Sequence, residues 1–196
     1  MTRLRLLLAV VSLLFIGVGP GQAAARLGDD GLYVEDWFVT SFLDLRDDLA
    51  EADKAGKRLA IIWEQKGCSY CRDLHTVNFA DEATTAWIRP RFAIIQLNLW
   101  GSREVTDIDG EVLAEKDLAR KYRINFTPTI SFLPPDLAGL EGRKGADAES
   151  ARLPGYFRKF HFLSMFEYVW DRRYAKGQEF QRYLAEKMAA DPDRAP

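Results

Sequence analysis

Cys68 and Cys71 are the only cysteines in a chain of 196 residues. They follow a compact apolar run, Leu59-Ala60-Ile61-Ile62-Trp63, that reads as a buried strand. A bridge between them closes a loop with two residues inside. So small a loop removes little entropy from the unfolded chain, and its bridge adds little stability. Chemistry explains the pair better than stapling does. The segment after it, holding Leu74, Val77 and Phe79, has helical composition, so the pair ends a strand and opens a helix. Open α/β sheets place their active sites there.

The rest of the chain keeps the same alternation. Asp36–Val39 reads as a short edge strand. Thr40 is placed to cap a helix through Phe42, Leu45, Leu49 and Ala52 that ends at Gly56. Asp81 is placed to cap a short helix through Trp87, and Phe92–Leu97 is a second buried strand. Asn98 to Leu113 is polar, with a hairpin turn at Asp109-Gly110, and a helix over 115–122 follows. Thr129–Leu133 is a strand entered through Pro128, and 134–155 reads as a loop with one short strand. Tyr156 to Tyr174 predicts a packed helix whose Phe157, Phe160, Phe162, Phe166 and Tyr168 serve the core. A last helix covers 178–189. Strands alternating with helices argue for an α/β layer architecture.

The first two dozen residues read as a leader instead. Arg3 and Arg5 give a positive head, Leu4–Val18 an apolar middle, and Gln22-Ala23-Ala24-Ala25 a small-residue exit. That is the pattern of a secretory signal peptide, here 1–24, leaving one domain over 25–196. The competing reading is an uncleaved anchor, but the apolar run is short of the ~20 residues a bilayer span needs. Export to the periplasm as a monomer is the expectation. The formal net charge is −2 with no basic stripe, so nucleic acid is not an expected partner.

A thiol at a helix N-terminus ionises readily, with pKa values of ~3.5–7.5 in Cys-X-X-Cys settings. Cys68 is then the nucleophile, and Cys71, near the first turn, resolves the mixed disulfide. Gly67 lets the backbone bend and leaves room for a partner chain. A metal site would recruit His75 beside Cys68 and Cys71, but a structural zinc site takes four ligands, and His75 reads better as a partly exposed helix residue. Covalent haem needs His directly after the second Cys, where Arg72 stands. Inert core cysteines are at odds with polar Lys66, Ser69, Arg72 and Asp73 around them. No metal and no cofactor is expected beyond the redox-active pair itself. Thr127-Pro128-Thr129 adds a candidate cis proline facing the cysteines, with adjacent backbone free to pair with an extended substrate.

With these residues the chain resembles the thioredoxin superfamily, and more narrowly the periplasmic thioredoxin-like SoxW proteins of bacterial sulfur-oxidation systems. The resemblance is carried by Gly67-Cys68-Ser69-Tyr70-Cys71, Leu74-His75, Asn78-Phe79, Gln96–Gly101, Arg103–Asp107, Glu115–Arg120, Phe126-Thr127-Pro128-Thr129 and Pro154-Gly155-Tyr156. It implies a central mixed sheet flanked by helices, with an insertion before the helix that precedes Pro128 and an extended C-terminal helical region. It also implies a thiol–disulfide oxidoreductase that takes electrons from a membrane thiol transporter and reduces a disulfide on a periplasmic protein. Thr127, Pro128, Ser69 and Tyr70 would shape the docking face. A disulfide-forming oxidase and a metal-binding module remain the alternatives.

Two departures stand out. Thioredoxins place a buried Asp six residues before the first Cys; here that residue is Ile62. Glu64 shares the strand parity of Ile62, so it either takes over proton transfer or is a surface residue at the strand's end. The dipeptide between the cysteines is Ser-Tyr, not Gly-Pro, which leaves the potential open within ~−270 to ~−120 mV. In the insertion, 101–111, Asp107-Ile108-Asp109-Gly110 resembles a calcium loop, but Val105 and Lys116 fall at ligand positions. A solvated hairpin is the expectation there.

Overall fold

The computed structural model describes residues 26–140 and 142–191; the leader expected at 1–24 lies outside the described residues. A small antiparallel hairpin of β1 (Arg26–Leu27) and β2 (Tyr33–Val34) precedes helix α1 (Leu45–Lys54). Then come β3 (Arg58–Glu64) and α2 (Ser69–Asp73), which continues as a π-helical segment, Leu74–Phe79. Next are α3 (Glu82–Ile88), β4 (Phe92–Asn98), the hairpin of β5 (Glu104–Thr106) and β6 (Val112–Ala114), and α4 (Glu115–Lys121). The chain ends through β7 (Thr129–Phe132), β8 (Ala151–Pro154), α5 (Lys159–Trp170) and α6 (Phe180–Ala190).

The central sheet has the order β4-β3-β7-β8. β3 and β4 are parallel, while β7 runs antiparallel to both β3 and β8. β3 is central and buried along nearly its whole length, which is why it reads as a continuous apolar run rather than an alternating one. Its alternate side chains serve two cores. Leu59, Ile61 and Trp63 face α1 and α4, with Leu49, Ile95, Leu118 and Tyr122. Ala60 and Ile62 face α2, α3 and α5, with Leu74, Phe79, Phe92, Phe132, Phe162 and Phe166. Phe166 meets Phe92 and Phe132 edge to face at 4.9 and 5.0 Å, a favourable quadrupole arrangement.

Four local expectations change. Helix α1 is capped by Asp44, whose side chain accepts from Arg46 N–H at 3.0 Å and Asp47 N–H at 3.3 Å. Thr40 lies outside the helix and Phe42 is fully exposed, because Leu43 takes a left-handed turn (φ 64°) just ahead of the cap. Asp36–Val39 is a turn; the strand there is Tyr33–Val34. The late helix begins at Lys159, so Phe157 precedes it, and Phe157 and Phe160 are only partly buried, while Phe162, Phe166 and Tyr168 are in the core. The insertion is a hairpin, but not a solvated one. Val105, Asp107 and Ile108 are buried, and Lys121 Nζ binds Asp107, Asp109 and Glu111 at 2.6, 2.7 and 2.9 Å. The lysine ammonium sits among the carboxylates that resemble a calcium loop.

Candidate active site

The sheet delivers β3 to its C-terminal end at Glu64, and the chain then turns sharply through Gly67 (φ 76°), a left-handed conformation suited to glycine. Cys68 is the N-cap of α2. Its Sγ accepts from Cys71 N–H at 3.0 Å, so one of the helix's orphan donors points at this sulfur. The two sulfurs are bonded, with Cα atoms 5.2 Å apart. Cys68 is partly exposed and Cys71 is 2 % exposed. One sulfur can therefore be reached by a partner while the other waits behind it. The positive end of the helix favours a thiolate at Cys68.

The Thr127-Pro128 peptide is cis and comes from the loop before β7. Thr127 Oγ1 donates to Cys68 Sγ at 3.4 Å, and Thr127 O lies 3.6 Å from the same sulfur. Thr129 Oγ1 donates to Phe126 O at 2.8 Å and fixes this turn. The structure thus brings Cys68, Cys71 and Thr127 together, with the cis Pro128 next in the chain. Ser69 and Tyr70 are exposed on the same rim; the Tyr70 ring stacks on Tyr156 at 6.0 Å. Tyr156 O–H in turn donates to Asn78 Oδ1 at 3.3 Å.

Two further rim residues escaped sequence reasoning. Trp100 is 67 % exposed, with its indole N–H donated to Gln65 Oε1 at 2.7 Å, and Phe126 is 52 % exposed. Phe126 directly precedes Thr127, and Trp100 reaches the cysteine segment through Gln65. For Phe126 the available signal was a large aromatic directly before Thr127-Pro128; Trp100, far from the cysteines in sequence, carried none.

His75 is the main correction. It is fully buried, not partly exposed. Its Nδ1 lies 2.8 Å from Glu35 Oε1, and its Nε2 lies 3.2 Å from both oxygens of Glu64. Both ring nitrogens are engaged, so neither is free to join the cysteines in holding a metal; no metal-binding group of His, Cys, Asp and Glu occurs among the described residues. Burial works to lower the imidazole pKa, but the bonds to Glu35 and Glu64 outweigh it and raise it to about 9. Glu64 is buried as well, which removes the reading of a surface residue. It faces the same core as Ile62, and Gln96 Nε2 donates to its Oε2. The π-helical stretch that carries His75 is a feature found often at functional sites.

A family model described as a thioredoxin-like domain matches residues 45–170. Among solved structures, a thioredoxin from Thermus thermophilus is 25% identical with a TM-score of 0.50, covering 69% of this chain and 90% of that one. A thioredoxin-fold protein from Helicobacter pylori is 23% identical with a TM-score of 0.48, covering 69% of this chain and 81% of that one. Comparison with curated protein sequences gives no match. The mixed sheet flanked by helices is the thioredoxin-like fold.

Proposed function

This chain belongs to the thioredoxin-like domain family, and from that premise we propose that it is a thiol–disulfide oxidoreductase acting on protein disulfides. The observation that carries the proposal is the asymmetry of the pair: a reachable Cys68 capping a helix beside Thr127, and a buried Cys71 one turn behind it. Cys68 thiolate attacks a partner disulfide and forms a mixed disulfide, releasing one partner thiol. Cys71 then attacks Cys68 Sγ, forming the Cys68–Cys71 bond and releasing the second partner thiol. Thr127, Pro128, Ser69 and Tyr70 form the docking face, and Glu64 receives the proton that Cys71 gives up. The pair itself supplies the redox chemistry, without a separate cofactor.

The finer reading is a periplasmic reductase of the SoxW type, exported as a monomer, recharged by a membrane thiol transporter and serving a sulfur-oxidation protein. Its support is the run of shared residues from Gly67-Cys68-Ser69-Tyr70-Cys71 to Pro154-Gly155-Tyr156 and the leader pattern at 1–24. Insulin reduction tests the activity: it should vanish in Cys68→Ser, and a wild-type protein that does not reduce insulin overturns the reading. Cys71→Ser should trap partners as mixed disulfides, and their identity tests the sulfur-oxidation setting. Equilibration with glutathione tests direction, since a potential near ~−120 mV marks an oxidase instead.

A further inference from the structure

Three arginines gather around one tryptophan at the end of the sheet away from the cysteines. Arg58 opens β3, and the strand runs seven residues to Glu64. At ~3.3 Å per residue, about 20 Å of strand separates this end from the turn into Cys68. Arg91 stands just before β4 and is tied in place. Arg58 N–H donates to Arg91 O at 2.8 Å, and Arg91 Nη1 donates to Trp87 O at 2.9 Å. The Arg91 guanidinium lies 4.5 Å from the Trp87 ring centre and 5.8 Å from that of Trp170. The Arg58 guanidinium lies 5.5 Å from Trp170. Arg172 is exposed, two residues past the end of α5. Stacking on an indole holds a guanidinium plane while its N–H edge stays able to bond.

The cluster lacks a counter-charge. Among the described residues, none of these three arginines forms an ion pair; Asp53 and Asp136 act on Arg58 only from beyond ion-pair distance. Burial and, after it, the Arg172 charge lower the Arg58 pKa, so two cations are held close enough to repel. Arg58 Nε is buried, and no acceptor among the described residues receives its proton. A charged donor left unmet costs more than a neutral one. Helix dipoles account for two of the three, since Arg91 follows the C-terminus of α3 and Arg172 that of α5. They do not account for Arg58, which belongs to a strand.

We propose that Arg58, Arg91 and Arg172, beside Trp170, form a binding site for a phosphate-type oxyanion. Such an ion carries several acceptor oxygens, which guanidinium forks match in pairs. Seated here, it would replace the repulsion between Arg58 and Arg172 with attraction to both, and supply acceptors that the fold does not. Trp87 and Trp170, each partly buried, back the arginines with an apolar wall, where the attraction is stronger than in open water. The same chemistry comes from free phosphate or from a phospholipid headgroup, a level of the membrane that favours both indoles and cations. Either source leaves Cys68 uncovered at the far end of β3, so the site is independent of the oxidoreductase reading.

Titration of the full chain with inorganic phosphate, followed at the arginine Nε–H resonances by NMR, tests the site. The Arg58 and Arg91 resonances should shift and saturate with phosphate, but not with chloride at equal ionic strength. Arg58→Gln should weaken binding, read at Arg91, about tenfold, as expected for one charge-assisted contact. Arg172→Gln, at an exposed position that should leave the fold intact, should weaken it severalfold. Arg58→Lys keeps the charge without the fork and should bind nearly as weakly as Arg58→Gln. Wild-type affinity in Arg58→Lys would mean a diffuse charge effect and sinks the site. Sedimentation with phosphatidylglycerol–phosphatidylcholine vesicles separates the sources, and comparing Arg172→Gln with the wild type cancels any contribution of the apolar run at 4–18. Vesicle binding that depends on Arg172 identifies a headgroup; phosphate shifts without it identify a free oxyanion. The absence of both overturns the proposal. Insulin reduction enters none of these readouts, so its failure would count against the oxidoreductase reading alone.

Discussion

Glu64 and Glu115 sit on opposite sides of one rung of the sheet: Glu64 pairs in register with Asn98, and Asn98 N–H donates to Glu115 Oε1 at 2.9 Å. Both carboxylates are buried. Their partners differ in kind. Glu115 also accepts from Arg103 N–H at 3.3 Å and from Arg103 Nη2 at 2.5 Å, and its hydrogen bond raises the guanidinium pKa further. The Arg103 guanidinium keeps its charge in ordinary buffers. Glu64 instead meets an imidazole, the one side chain whose charge responds near neutral pH. The same residue type, one at the end of β3 and one opening α4, is clamped by a guanidinium in one place and bonded to an imidazole in the other. What separates them is the partner.

Glu115 carries the larger load. Replacing Glu115 with Ala strands two backbone donors, Asn98 N–H and Arg103 N–H. A buried donor left unmade costs ~1–3 kcal/mol, and these two are only partly buried, so about 3 kcal/mol of stability should go, seen in chemical unfolding. The half-exposed Arg103 side chain returns to water and adds little. If the clamp is only structural, Cys71 should titrate as in the wild type wherever the variant stays folded.

On the other side the signature is a dependence on pH. His75 has a folded pKa raised from 6.5 to about 9, so the folded state holds its proton more tightly than the unfolded one. The stabilisation is complete below about pH 6.5 and fades as pH rises toward 9. At about 1.4 kcal/mol per unit it amounts to roughly 3 kcal/mol. Unfolding free energies at pH 6 and pH 10 should differ by that much more in the wild type than in His75→Gln. Equal pH slopes would show that the imidazole is not clamped as an ion.

The smaller ionic cluster on the clamp side sharpens the contrast. Lys121→Met removes the cation from Asp107, Asp109 and Glu111, but Asp107 keeps Tyr122 O–H at 2.8 Å and Ile108 N–H at 2.8 Å. The loss should be about 2 kcal/mol, between the values for exposed and buried pairs. Thermal unfolding should find it constant from pH 6 to 9, because the ammonium pKa is raised by these acids despite partial burial.

Sequence legibility follows the same division. β3, β4 and the cysteine pair are local patterns: an apolar run, then two cysteines at fixed spacing, then helical composition. Pro128 was legible because its neighbours carry a motif. Helix α3 was legible because Asp81 is followed by a helix-length run, and its side chain does accept from Thr84 N–H at 3.0 Å. The charged cluster was not, because its members come from three segments. Glu35 is forty residues from His75, just ahead of the stretch read as strand, and the spacing of Cys71 and His75 fixes a helix face without saying which way it points. Thr40 and Asp44 are both good caps, and only the left-handed turn at Leu43 decides between them. In the insertion, Val105 and Ile108 are isolated apolar residues in a polar run, too few to announce that the hairpin is half core.

Two glycines carry the comparison to its finest scale. Gly110 (φ 86°) turns the clamped hairpin and Gly67 (φ 76°) turns into the cysteine helix. A Cβ at Gly67 would meet nothing within 4 Å, and one at Gly110 would meet only Arg46 Nη1 at 3.7 Å. Neither Gly→Ala change therefore adds a clash, and each should cost only the left-handed backbone penalty of about 1–2 kcal/mol. Stability alone will not tell the two turns apart. Chemistry should. Relief of that strain at Gly67 moves Cys68 relative to Cys71 N–H and Thr127, whose bonds to Sγ are 3.0 and 3.4 Å. Gly67→Ala should slow Cys68 attack on a small disulfide by severalfold, while Gly110→Ala leaves that rate alone. Equal rates in the two variants would mean that the turn at Gly67 does no more than change the chain's direction, as the one at Gly110 does.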